Sequence, residues 1–131
     1  VGALDRWLAL DSTEQRLTAA AAIVLGASVV RVRLLGVKRT LAWANAPLGR
    51  AGDDAVDAVA RAVARAARYC PGASCLPRSM ALTRMLRKKG VPANVRIGVV
   101  TDPAFAAHAW VEVTARPVGE PPSPFTPLPL P

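Results

Sequence analysis

From Arg16 to Leu35 apolar residues fall on most faces of a helical wheel, so the pattern predicts one long helix, much of it buried. The preceding Leu10-Asp11-Ser12-Thr13-Glu14-Gln15 reads as its start. Ser12 is the expected cap, and Gln15 stands three residues on, where a capping box needs it. Gly36 is the expected stop. Thr40 to Ala46 is short and carries no decisive pattern, and Trp43 within it is expected to pack rather than to bind. The most apolar part, Thr18 to Val30, is shorter than the roughly 20 residues of a membrane span. Arg31 and Arg33 follow it, whereas a signal peptide carries its charge before the apolar run. A buried helix, with a membrane surface as a candidate neighbour, is the expectation.

Pro47-Leu48-Gly49-Arg50-Ala51-Gly52 is a predicted loop. Asp53 is then the expected cap of a second long helix, Asp54 to about Tyr69. Its apolar stripe is Val56, Val59, Ala60, Val63 and Ala67, at i, i+3, i+4, i+7 and i+11. Asp53 and Asp54 complement the positive end of its dipole. Pro71-Gly72 breaks the pattern, and a third helix is predicted from Ser74 or Cys75. Pro77 is tolerated there because first-turn N–H groups lack intrahelical partners. Leu76, Leu82, Met85 and Leu86 form its expected inner face, with Arg87, Lys88 and Lys89 at its negative end and Gly90 closing it.

Beyond Pro92 the period changes from helical to twofold. Val95, Ile97 and Val99 alternate with Asn94, Arg96 and Gly98, which predicts a strand. Thr101-Asp102-Pro103 reads as a turn and Ala106 to Thr114 as a second strand. From Glu120 onward proline dominates, so an extended tail is expected. The sum is an α+β class: one domain of 131 residues, with a helical part over 1–70, a helix and sheet over 71–120, and a Pro-rich tail over 121–131.

Composition sharpens this reading. The chain is 52% hydrophobic, enough for a core without staples, and only 5% aromatic, which favours close-packed Ala-rich helices over a sandwich. The formal charge is +8 and the pI about 11. Such a surface seeks a polyanion, an acidic membrane or an acidic peptide; equally, the arginines can serve solubility alone. A nucleic-acid-binding module has only the charge in its favour, since no aromatic interleaving or known motif accompanies it, and no nucleic acid is expected. The two cysteines, Cys70 and Cys75, do not make a disulfide scaffold, so a reducing, cytoplasmic compartment is expected. No phosphate loop and no zinc spacing is present, and neither cofactor nor metal is expected.

The chemistry-bearing candidates are Cys75 and His108. Cys75 falls at a predicted helix N-terminus, where free N–H groups and partial positive charge favour a thiolate and can hold an oxyanion. His108, the only histidine, lies on the second predicted strand. A Cys–His pair needs a third group to orient the ring. Glu112 shares a face with His108, but four strand residues span about 13 Å, too far for a hydrogen bond along one strand. Asp102 reaches only if the hairpin folds back, and Asp5 and Asp11 are remote in sequence. Glu120 arrives beside His108 if the chain turns after its strand. Against all this, a lone Cys in an Ala-rich helix is more often a small buried hydrophobe, and a lone His on a strand more often structural. Cys70 has only that plain reading.

The ordered segments Cys75-Leu76-Pro77-Arg78-Ser79-Met80-Ala81-Leu82, Met85-Leu86-Arg87-Lys88-Lys89-Gly90, Val95-Arg96-Ile97-Gly98-Val99 and Phe105-Ala106-Ala107-His108-Ala109-Trp110-Val111-Glu112 resemble the lasso-peptide leader peptidases. These are transglutaminase-like cysteine proteases, and the likeness is to their stand-alone form. The resemblance covers Cys75 to about Glu120, while the N-terminal helices fit in character only. It implies a papain-like core in which Cys75 is the nucleophile and His108 the general base. The third position, an Asp in that family, corresponds to Glu120 here, one methylene longer. No upstream Gln suits an oxyanion role, which falls to the Cys75 backbone N–H. The implied partners are a lasso precursor peptide, a leader-recognition protein and an ATP-dependent lasso cyclase acting afterwards. Acyl transfer to an amine, or peptide binding without catalysis, is the alternative.

Overall fold

The structure, a computed structural model, describes residues 2–50, 56–101, 104–118 and 126–127. Five helices precede a small sheet: α1 (Ala3–Leu8), α2 (Ser12–Leu35), α3 (Val37–Ala44), α4 (Val56–Ala67) and α5 (Cys75–Lys88). Strands β1 (Ala93–Val100), β2 (Ala106–Val113), β3 (Arg116–Pro117) and β4 (Thr126–Pro127) follow, in spatial order β3-β2-β1-β4. All the strand pairings are antiparallel, so the class is α+β, as the sequence pattern predicts.

The helix starts repay attention. The cap of α2 is Asp11, not Ser12, which is the first helical residue. Asp11 is extended (φ −73°, ψ 172°), and its Oδ1 accepts the Glu14 N–H at 2.8 Å. A carboxylate there satisfies an orphan donor and also meets the positive end of the dipole. Gln15 makes no capping box; its Nε2 donates to the Trp7 carbonyl at 3.0 Å and ties α2 to α1. Helix α1 has no counterpart in the predicted elements. With six residues it has too little periodicity to announce itself. Asp5 belongs to its first turn and accepts the Gly2 N–H at 3.3 Å.

Gly36, at φ +86°, ends α2 as expected, and the undecided Thr40–Ala46 stretch belongs largely to α3. The guanidinium groups of Arg31 (4.8 Å) and Arg84 (4.5 Å) both lie over the Trp43 ring. Arg84 also donates to the Trp43 carbonyl. Burial and the nearby Arg31 charge push the Arg84 pKa down from its ordinary value. The expected cap Asp53 and the residue Asp54 lie outside the described residues.

The core lies where α2, α4 and α5 meet. Leu17, Ala21 and Leu25 of α2 pack with Val59, Ala62 and Val63 of α4 and with Ala81, Leu82, Met85 and Leu86 of α5, and Ala93 and Val111 close the cluster from the sheet. The inner face of α4 is rotated from the expected stripe. Ala62 and Ala66 are buried, while Val56, Ala60 and Ala67 are only partly so. Alanine reads weakly as apolar, yet it is what lets two helices approach closely. The stop of α5 forms a Schellman pattern around Gly90 (φ +83°). The Val91 N–H reaches the Leu86 carbonyl, and the Gly90 N–H reaches the Arg87 carbonyl, both at 3.0 Å. Helix α2 spans 24 residues, and a stretch of it (mean hydropathy 1.7) is long and apolar enough to cross a membrane; 33% of that stretch is buried in the fold. The length argument from Thr18–Val30 alone therefore understates the apolar run.

Candidate active site

Cys75 owes its position to a chain reset. After α4, Gly72 adopts φ +81°, and the Ser74 N–H turns back to the Gly72 carbonyl at 2.9 Å. Ser74 is the extended N-cap of α5, but its side chain makes no capping bond. The first turn closes with the Arg78 N–H on the Ser74 carbonyl at 3.2 Å. Pro77 contributes no N–H, so the orphan donors at this helix end are those of Cys75 and Leu76. Two hydroxyls pin the turn in place. Ser79 Oγ donates to the Cys75 carbonyl at 2.7 Å, and the fully buried Ser28 Oγ of α2 shares its one proton between the Leu25 carbonyl of its own helix at 2.8 Å and the Pro77 carbonyl at 3.0 Å.

His108 sits on β2 opposite Gly98 of β1. No side chain crowds the imidazole from that neighbour, since directly opposed residues share a face. Strand alternation puts His108, Trp110 and Glu112 on one face, while Ala109 and Val111 take the other, where Val111 joins the helical core. The His108 ring stacks on Trp110 at 6.1 Å between centroids and 23° between planes. Trp110 Nε1 donates to Glu112 Oε2 at 3.0 Å, and Arg96 Nε meets Glu112 Oε1 at 3.2 Å.

Cys75 and His108, both partly buried, border one cavity of about 330 Å³. It lies between α4, the first two turns of α5, β2 and Val118. Ala60, Val63, Ala64, Leu82 and Val111 supply apolar wall, while Arg78 and Ser79 add the polar groups beside Cys75. Arg78 and Ser79 were not singled out from sequence, though their i+3 and i+4 spacing from Cys75 places them on its side of the helix. Glu120 and Asp102 lie outside the described residues. Glu112 is engaged by Trp110 and Arg96, Asp11 caps α2, and Asp5 serves α1. Cys70 is a second free thiol in a separate cleft of about 720 Å³ between α1, α2 and the end of α4, which no histidine lines.

The chain also turns as a returning segment requires. Thr114 (φ +49°) and Ala115 (φ +65°) form the tight β2–β3 hairpin. Arg116 then pairs with Val113, Pro117 pairs with Glu112, and the Val118 N–H meets the Val111 carbonyl at 2.8 Å.

A cysteine at the start of a core helix thus borders the same cavity as a histidine on an antiparallel sheet. The chain belongs to the transglutaminase-like superfamily, whose family model matches residues 19–129. Membership suggests activity of the cysteine-protease or acyltransferase type. No curated protein and no solved structure matches the chain.

Proposed function

We propose that this protein is a cysteine peptidase that removes the leader from a lasso-peptide precursor. The observation that carries the reading is the shared cavity of Cys75 and His108, with two uncapped N–H groups at the thiol's end of α5. The substrate class rests on the resemblance of the Cys75–Leu82 and Phe105–Glu112 segments to the leader peptidases, within a superfamily to which the chain belongs.

In this mechanism the Cys75 sulfur attacks the scissile carbonyl carbon at the leader–core junction. His108 takes the thiol proton, and the backbone N–H of Cys75 holds the oxyanion. His108 then gives the proton to the departing amine, which frees the N-terminus of the core. Water, deprotonated by His108, attacks the remaining thioester and releases the leader as a carboxylate. Glu120 orients the imidazole; the described chain has already reversed and runs beside β2 as far as Val118, two residues short of it. A leader-recognition protein presents the precursor, and an ATP-dependent cyclase closes the ring afterwards. The site of action is the cytoplasm.

Incubation of a precursor and its leader-binding protein with the wild-type chain and with Cys75→Ala and Cys70→Ala, followed by mass spectrometry, tests the reading. Cleavage is expected to vanish in Cys75→Ala and to persist in Cys70→Ala. Full cleavage by Cys75→Ala would end the thiol-peptidase reading. A leader product extended by an added amine would assign the site to acyl transfer instead.

A further inference from the structure

Helix α2 presents two apolar faces, and among the described residues only one is buried. Leu17, Ala21, Leu25 and Ser28 point into the core. On roughly the opposite side of the wheel, Ala19, Ile23, Val30 and Leu34 fall at i, i+4, i+11 and i+15. Ile23 is 73% exposed, Val30 53% and Leu34 77%. The stripe from Ile23 to Leu34 runs for about 16 Å along the helix. Leu35 and Val37 extend it in the chain, and both are exposed.

The charges around the stripe are of one sign. Between Glu14 and Asp53 the sequence has no Asp or Glu, but it has Arg16, Arg31, Arg33, Lys38, Arg39 and Arg50. Arg16, two turns before Ile23 on the same side of the wheel, is exposed, as are Lys38 and Arg39 just beyond its far end. An exposed apolar strip with cations at both ends and no acid between them matches a surface of phosphate headgroups over hydrocarbon. It matches an acidic protein less well, because the centre of the strip has no polar group to pair with.

We infer that this face of α2 lies on an anionic membrane surface, the helix axis parallel to the bilayer, with Ile23, Val30 and Leu34 entering the headgroup boundary and Arg16, Lys38 and Arg39 on the phosphates. The opposite face of α2 stays in the core, so binding leaves the fold intact. This inference is independent of the catalytic reading, because none of these residues borders the cavity of Cys75 and His108.

Co-sedimentation of the full chain with vesicles tests it. Phosphatidylcholine mixed with phosphatidylglycerol should bring the protein down, and phosphatidylcholine alone should not. Raising the salt from about 0.1 M to about 0.5 M should weaken binding by roughly tenfold, as screening shortens the reach of the cations. Ile23→Gln with Leu34→Gln should lower binding by about tenfold or more with circular dichroism unchanged, since both side chains are outside the core. Lys38→Gln with Arg39→Gln, which leaves the stripe untouched, should give a similar loss and serves if the first variant misfolds. No binding to the mixed vesicles, or equal binding by wild type and the charge variant, would overturn the inference. So would a dimer in light scattering that Ile23→Gln with Leu34→Gln dissociates, which would assign the face to a second copy.

Discussion

The imidazole of His108 stacks on the indole of Trp110, with centroids 6.1 Å apart and planes inclined by 23°. Trp110 is 4% exposed, and its Nε1 is held by Glu112, which Arg96 holds in turn. Burial and a hydrogen bond fix the indole, against which the imidazole stacks. Trp110→Phe keeps an aromatic surface but releases Glu112. Steady-state cleavage by this variant should fall by about 10–100-fold, because small displacements of a reacting group carry costs of that size. Glu112→Gln retains an acceptor for the indole and should lose little. An unchanged rate in Trp110→Phe would show that His108 is held by other contacts.

The third triad position is tested by carboxylate replacement. Glu120→Gln keeps the size and removes the charge, so the ring of His108 loses its orienting partner. The rate should drop by about 10²–10⁴-fold with little change in stability. Glu120→Asp should keep part of the activity. Loss in Asp102→Asn with a silent Glu120→Gln would move the role to the segment before β2.

Partner dependence follows from the proposed division of labour between this chain and a leader-recognition protein. Cleavage of the precursor by this chain alone should be slow or absent, and the partner should raise it strongly. Rate measurements at a fixed precursor concentration, with and without the partner, decide this. Equal rates would mean that this chain reads the leader itself.

Gly49 gives a stability test distant from the site. Its N–H donates to the Arg87 carbonyl at 2.8 Å, docking the loop after α3 on the end of α5. A Cβ at this position would lie 1.9 Å from the Lys88 carbonyl oxygen, a backbone atom with little room to yield. Gly49→Ala should destabilise the fold by about 1–3 kcal/mol, seen as a lower urea midpoint at unchanged slope. A neutral result would mean that the loop can lift from the helix at no cost.

The core itself predicts a larger effect. Leu25 is wholly buried between α4 and α5, and Leu25→Ala should cost about 2–5 kcal/mol in the same measurement. Ile23→Ala, two residues away on the exposed face, should stay within about 0.5 kcal/mol. Similar losses at both positions would contradict the division of α2 into a core face and an open one.

Sequence alone determined the elements whose signals are local. Pro71-Gly72 before Cys75 and Gly90 after Lys89 bound α5, because proline and glycine act on the backbone where they stand. Twofold alternation marked β1 and β2 to within one residue at most of their ends. The same signals placed Cys75 at a helix N-terminus and His108 on a strand. What depends on contact across the fold came only from the tertiary structure. The short α1 is tied down by Gln15 of α2, whose Nε2 donates to the Trp7 carbonyl. Ala62 and Ala66 became core because α2 approaches α4 there, and an alanine's burial is set by its neighbour rather than by its own hydrophobicity. The Thr114-Ala115 reversal carries no glycine or asparagine to announce positive φ; pairing of β3 with β2 holds it. Cys75 and His108 stand 33 positions apart in the chain. They border one cavity because α4, α5 and β2 meet there, a long-range relation that no local pattern encodes.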